Sequence, residues 1–228
     1  MSLIDGLRQL TDDALEYVEQ ITASELVSVE IVLIDVQETA TLHINNKITL
    51  QEGSHNPDAR ILMTKTVFNN ILAGKADFGA LIGRSKYSEK RPIDFEIINT
   101  IKTNQLMSTL YTLMTFFFTP RKPKIKKLNR SLAGEAHGAH PIPLVYSDGL
   151  RSGWYTINEG ETLNESGEKD PYPQIFVIIK GRGKAQIGDT RVTLEPDSAV
   201  YIPVNASHSV TALETMQLLW LAWNTPII

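Results

Sequence analysis

The sequence predicts two domains, an N-terminal α+β domain in which helices pack on an antiparallel sheet, and a C-terminal all-β barrel. Three observations predict this. Up to Phe118, runs with helical periodicity are interspersed with runs rich in β-branched residues. Beyond about residue 150 the chain is short strand-like runs punctuated by turn pairs such as Asp148-Gly149, Glu159-Gly160 and Gly188-Asp189. Between the two lies "TPRKPKIKKLNR", with two prolines, six Lys/Arg and no acid. The division is therefore 1–118, a basic linker over 119–134, and a barrel over 135–228.

Taken in order, Leu3, Leu7, Leu10, Ala14, Val18 and Ile21 recur at spacings of three and four, the stripe of an amphipathic helix. Residues 26–53 read as strands, with Asn45-Asn46 as the turn of a hairpin between "ATLHI" and "KITL". "ARILMTK" reads as a further strand after Pro57-Asp58, and "KTVFNNILAG" as a short helix closed by Gly74. From Asn99 to Phe118 the pattern is helical and apolar on most of its circumference. Such a helix is buried or lines an apolar cavity.

Bulk properties narrow the function classes. The chain has 228 residues, 42% apolar and 21% charged, with a formal net charge of -4. That balance gives no general attraction to nucleic acid, so no nucleic-acid partner is expected. The absence of cysteine excludes disulfides, thiolate metal sites and cysteine nucleophiles. The N-terminal stretch lacks the pattern of a secretory signal, and the most apolar segment, 106–118, is too short for a bilayer of about 30 Å. A cytoplasmic protein is the expectation. The basic linker beside a Phe-rich helix end offers a transient contact with an anionic membrane surface, at about 1 kcal/mol per cation.

In the C-terminal half, "DPYPQIFVIIKGRGKAQIGDTRVTLEPDSAVYIPVNASHSVTAL" resembles the paired motifs of the cupin family, which implies a jelly-roll barrel. Counting back from Gly181, the family's Glu position falls on Gln174 and its two His positions on Glu168 and Asp170. His208 matches the second-motif His and Pro203 its Pro, whereas Asn205 and Ala212 replace the Gly and Asn. The resemblance implies a candidate metal set of Glu168, Asp170, Gln174 and His208. Three oxygen donors and one nitrogen suit Mn or Ca better than Fe or Zn. The alternative is a vacant site with no cofactor. Trp154, Tyr172 and Trp220 are candidates for an aromatic pocket lining, with the strand register left open. "IFVII" and "LLWLAW" are apolar on both faces, so something must cover the outer side of that sheet. Cupins commonly pair, and the resemblance favours a homodimer.

In the N-terminal half, "NPDARILMTKTVFNNILAGKADFGALIGRSKYSE" resembles the sterol-carrier-type lipid transfer domain, although the family's Gly-rich return after the helix is replaced by "LIGRSKYSEKRPIDFE". What this implies is an apolar tunnel for a lipid or sterol-like ligand, lined by Met107, Leu110, Met114 and Phe117. Methionine and Phe give adaptable walls to such a cavity. His137 and His140 have the spacing of a metal pair but lie in a loop with no third ligand evident. Neither half shows a Ser-His-Asp set, a phosphate loop or a nucleotide fingerprint. The first expectation is a non-catalytic binding protein with a hydrophobic ligand in its first domain and a degenerate cupin for oligomerisation or small-molecule sensing. The alternative is a cupin enzyme whose metal activates a carbonyl-containing or oxidisable substrate.

Overall fold

The structure is a computed structural model that describes residues 1–21, 25–86 and 88–225. It forms two compact units, Met1–Ile82 with Lys90–Lys127, and Gly83–Glu89 with Leu128–Ile227.

In the first unit, helix α1 (Leu3–Ala14) starts at Ser2, whose hydroxyl accepts from the Asp5 amide. Its apolar stripe of Leu3, Leu7, Leu10 and Ala14 is buried. A 3₁₀ turn leads into the short α2 (Val18–Ile21). The sheet contains β1 (Val27–Leu33), β2 (Glu38–Ile44), β3 (Ile48–Glu52), β4 (Ala59–Met63) and β5 (Asp94–Ile97), in the order β3-β2-β1-β4-β5. Asn45 and its neighbours turn β2 into β3 as the sequence predicts, with Ile44 opposite Ile48. Helix α3 (Lys65–Leu72) is capped by Thr64, and Gly74 follows its end at φ 67°. Helix α4 is Phe78–Ile82 and α5 is Thr103–Thr112, which runs on as a π turn over Leu113–Phe117.

One expectation is corrected. The sheet is not wholly antiparallel, because β1 and β4 pair in parallel, Ile31 beside Ile61. The reason lies in the chain between β3 and β4, which crosses the sheet rather than returning alongside β3. The amide of His55 donates to the Thr41 hydroxyl, and the amide of Asp58 to the carbonyl of Ser28. Thr41 lies on β2 and Ser28 on β1, so the crossing segment delivers the chain to the far side of β1.

Strand alternation then sorts the two faces. Val27, Val29, Ile31, Leu33, Leu42, Ile44, Ile61 and Met63 are all buried and share one face. The other face is polar yet partly covered: Glu30 is buried and pairs with Arg60, and the Ser28 hydroxyl lies 2.9 Å from His43 Nδ1. Buried polar groups need such partners.

The basic stretch after α5 is held by the first unit. The Arg121 amide donates to Asp13, and Lys126 pairs with Asp77 at 2.9 Å. Lys124 Nζ donates to the Thr119 carbonyl and stands 5.8 Å over the Tyr17 ring. Burial lowers its pKa to about 8.

Among the described residues the second unit has the strands β6 (His140–Ser147), β7 (Leu150–Ile157), β8 (Thr162–Glu168), β9 (Gln174–Lys180), β10 (Gly183–Ile187), β11 (Thr190–Leu194), β12 (Ser198–Ile202), β13 (His208–Ala212) and β14 (Met216–Trp223). They form two sheets, β11-β10-β13-β8 and β12-β9-β14-β7-β6, with every pair antiparallel. Both sheets contribute to one core, including Tyr155, Phe176 and Trp220 from one and Leu163, Ala185 and Val210 from the other. This is the sandwiched β-barrel arrangement that the turn-punctuated sequence predicts.

Candidate functional site

Register decides which side chains reach the barrel interior. On β14, Trp220 lies opposite Phe176 of β9, and Ala222 opposite Gln174. Across the other edge, Trp220 faces Gly153 and Ala222 faces Arg151 of β7. Directly opposed residues share a face of the sheet. Gln174, Phe176, Trp220 and Arg151 therefore point inward together. Trp154 lies opposite Leu219, one residue out of phase, and so belongs to the outer face. Among the expected pocket aromatics, Tyr172 and Trp220 are in the barrel core and Trp154 is not; Tyr155 takes the inward position beside it.

Polar atoms inside are wired to one another. The Trp220 indole N–H donates to Gln174 Oε1 at 2.7 Å, and Gln174 Nε2 donates to Asp170 Oδ2 at 2.7 Å. Gln174 is buried at 2% exposure, which makes both bonds costly to break. Arg151 is buried, with its guanidinium 5.9 Å from the Tyr146 ring and 5.8 Å from the Tyr172 ring. Burial, and then the nearby Asp170 charge, push the Tyr172 phenol up to about 12. Burial also holds Tyr155 well above the ordinary tyrosine range.

His208 opens β13 and lies directly opposite Glu168 of β8. Its Nδ1 is 3.1 Å from the Ala206 carbonyl, and its Nε2 is buried with no hydrogen-bond partner among the described residues. Glu168 is engaged by His137, whose Nδ1 lies 3.0 and 2.7 Å from the two carboxylate oxygens. The hydrogen bond from His137 holds the Glu168 carboxyl below its ordinary range.

Sequence reasoning saw His137 only as half of a pair with His140. The structure separates the two. His140 Nε2 meets Arg130, Glu161 and Asn158 instead. His137 reaches Glu168 from a left-handed backbone at φ 57°, followed by Gly138 at φ 75°. A Cβ on Gly138 would stand 2.3 Å from the Thr162 carbonyl oxygen, so only glycine fits there. The His137 carbonyl accepts from the Asn164 amide and the His137 amide donates to the Ser85 hydroxyl, which fixes the turn. The signal was the His-Gly pair itself, a left-handed turn that aims one side chain.

In the first unit, an apolar gap of about 20 Å³ lies between the sheet and α5, lined by Val29, Ala59, Phe95, Leu106, Met107 and Leu110 among others. Met107 and Leu110, two of the expected tunnel residues, line this gap. Met114 and Phe117 do not line this gap. Met114 packs where a Cβ on Gly79 would stand 2.7 Å from its Cγ, and Phe117 lies edge-on to Phe118. The gap has room for a water molecule rather than an acyl chain.

Residues 153–224 match the family model for the Cupin domain. No curated protein matches the chain. Among solved structures, the chain is similar to a Cupin 2 conserved barrel domain protein from Salinispora arenicola CNS-205, at 18% identity over 45% of this chain and 90% of that one, with a TM-score of 0.40. It is similar to a conserved protein of unknown function from Streptococcus pyogenes at 17% identity, covering 47% and 92%, with a TM-score of 0.39. A cupin superfamily protein from Desulfitobacterium hafniense DCB-2 gives 16% identity, 46% and 94%, and a TM-score of 0.39. The match lies wholly within the second unit.

Cupins often hold a divalent metal, and the four candidate ligands test that fit here. Among the described residues, no three His, Cys, Asp or Glu side chains converge as a metal site. Asp170 is taken by Gln174, Gln174 by Trp220, and Glu168 by His137. His208 Nε2 is a buried ring nitrogen with no hydrogen-bond partner among the described residues. As arranged, the set does not fit a metal. Among the described residues no helix is long and apolar enough to cross a membrane.

Proposed function

We propose that this is a non-catalytic binding protein, with a hydrophobic, lipid- or sterol-like ligand in the first unit and a degenerate cupin that senses a small molecule in the second. One observation carries the non-catalytic reading: Glu168, Asp170 and Gln174, three of the four side chains at the family's ligand positions, are engaged by one another or by Trp220 and His137. Side chains so paired hold a fixed shape, which suits recognition. For the first unit, support comes from the apolar gap beside Met107 and Leu110 and from the π turn that adjoins it, where the Phe118 amide donates five residues back to the Leu113 carbonyl. Such turns recur at functional sites, and widening the gap by shifting α5 is the step this reading requires.

A homodimer is part of the proposal. The outward side of β9, β12 and β14 leaves Ile179, Tyr201 and Trp223 at 49%, 68% and 37% exposure. Exposed Arg121, Lys122 and Lys127 would supply the transient contact with an anionic membrane.

Native mass spectrometry of the full chain, followed by organic extraction and elemental analysis, tests the reading. The expected result is an organic adduct that extracts into solvent, with no stoichiometric metal. Stoichiometric divalent metal that disappears in His208→Ala would overturn it in favour of the enzyme reading, in which the metal activates a carbonyl-containing or oxidisable substrate.

A further inference from the structure

His140 opens β6 and is 7% exposed. Its Nε2 has Arg130 Nη2 at 3.1 Å, Asn158 Nδ2 at 3.1 Å and Glu161 Oε1 at 3.0 Å. Its Nδ1 is buried with no hydrogen-bond partner among the described residues. Two charged groups meet the ring among the described residues, Arg130 from the 3₁₀ turn Arg130–Leu132 and Glu161 from the turn ahead of β8. Thr156, opposite His140 on β7, is uncharged.

These neighbours make incompatible demands on one nitrogen. A guanidinium and an amide NH₂ only donate, and a carboxylate only accepts. Burial opposes ionisation of Glu161, but the hydrogen bonds from His140 and Asn158 outweigh it and hold that carboxyl below its ordinary range. Glu161 therefore remains an acceptor throughout the range in which histidines change charge, about pH 5 to 8. A neutral ring with its proton on Nδ1 presents a lone pair at Nε2, which takes Arg130. A protonated ring presents an N–H there, which takes Glu161 and turns the donors away. Glu161 and Asn158 are fixed to each other, because the Asn158 amide and Nδ2 both donate to the Glu161 carboxylate at 2.8 Å. Arg130 is the exposed member of the group, and the one able to leave.

We infer that His140 is a proton-operated latch: neutral, it holds the Arg130 side chain against the barrel, and protonated, it turns to Glu161 and releases Arg130. The latch goes beyond the binding reading above and depends on neither ligand. Arg130 follows Lys124, Lys126 and Lys127 in the chain, so acidification adds a released guanidinium to the end of the basic stretch.

Trypsin must draw the Arg130 side chain into its own pocket to cut after it, so an engaged guanidinium is protected. Exposed Lys127 serves as the internal standard in the same digest of full-length protein. The ratio of cleavage after Arg130 to cleavage after Lys127, normalised at each pH to a free peptide spanning residues 124–134, is expected to rise about fivefold or more from about pH 8 to about pH 5.5. His140→Gln, whose amide offers an acceptor and a donor at every pH, should keep the ratio low and flat. Glu161→Gln, which removes the partner of the protonated ring, should move the midpoint to lower pH. With ¹⁵N-labelled histidine at mildly alkaline pH, the wild-type His140 signals, assigned by their loss in His140→Gln, should show Nδ1 protonated and Nε2 bare. A flat ratio in the wild type, an equal rise in His140→Gln, a midpoint unmoved or raised in Glu161→Gln, or a neutral ring with its proton on Nε2 would each overturn the latch.

Discussion

The two units use similar apolar material to different ends. In the first, the sheet and α5 enclose a gap whose lining is apolar apart from Arg60, and polar side chains pair on the opposite sheet face, Glu30 with Arg60 and Ser28 with His43. In the second, polar side chains stand inside the core itself, with Gln174, Arg151 and His208 all buried among Tyr, Trp and Phe. The first arrangement discriminates by size and shape, because apolar walls offer no directional bond. The second discriminates by hydrogen-bond pattern, because a buried donor or acceptor penalises any ligand that fails to match it. Under the proposed binding reading, each unit would select its ligand by a different one of these two means.

The largest effect belongs to the shape-defined core. Phe117 is fully buried, so Phe117→Ala should destabilise the helical unit by about 3–5 kcal/mol, read as a lower urea midpoint by far-UV circular dichroism. A loss under 1 kcal/mol would mean that the π turn repacks freely, and that the gap beside α5 is far more plastic than its size indicates. Next comes the barrel relay. Trp220→Phe removes the donor to Gln174 Oε1 and should cost about 1–3 kcal/mol from the unpaired acceptor, with a further loss from the smaller ring. Trp154 and Trp223 remain as fluorescent reporters in the same unit. Adding Gln174→Met to Trp220→Phe should then cost less than the two single changes summed, and strict additivity would show that the relay contributes nothing as a unit.

Much of this architecture was legible because it is local. The Leu3, Leu7, Leu10 stripe, the Asn45-Asn46 turn, the helix stop at Gly74 and the turn-punctuated strands each follow from neighbouring residues. What escaped is non-local. The parallel β1–β4 pair depends on a crossing segment that hydrogen-bonds to Thr41 and Ser28, and no periodicity in β4 records its direction. Trp154 was a candidate whose register stayed open, and it lies on the outer face because a one-residue phase decides the face and "GWYT" is aromatic in both phases. Glu168, Asp170, Gln174 and His208 were found by family spacing, but spacing says nothing of who else competes for their atoms. Trp220 and His137, which engage two of them, sit 46 and 31 residues away in the chain.

The smallest effect sharpens the contrast at its edge, where the barrel's polar interior meets solvent. Glu168 has its carboxyl held below the ordinary value of 4.5 chiefly by the His137 hydrogen bond, against the opposing effect of its partial burial. A carboxyl with a depressed folded-state pKa adds stability above its unfolded pKa and loses it as pH falls through the folded value. The contribution is therefore intact at neutral pH and fades below about pH 4.5. Glu168→Gln should lower the melting temperature slightly at pH 7 and flatten the acid limb of a stability–pH profile, and His137→Asn should flatten it to a similar degree. Because Glu168 is partly open to solvent, the shift is a small one. If Glu168→Gln left the acid limb unchanged while His137→Asn altered it, the pair would not be the acid-sensitive contact. The left-handed turn at His137 would then be held by its backbone bonds to Asn164 and Ser85 alone.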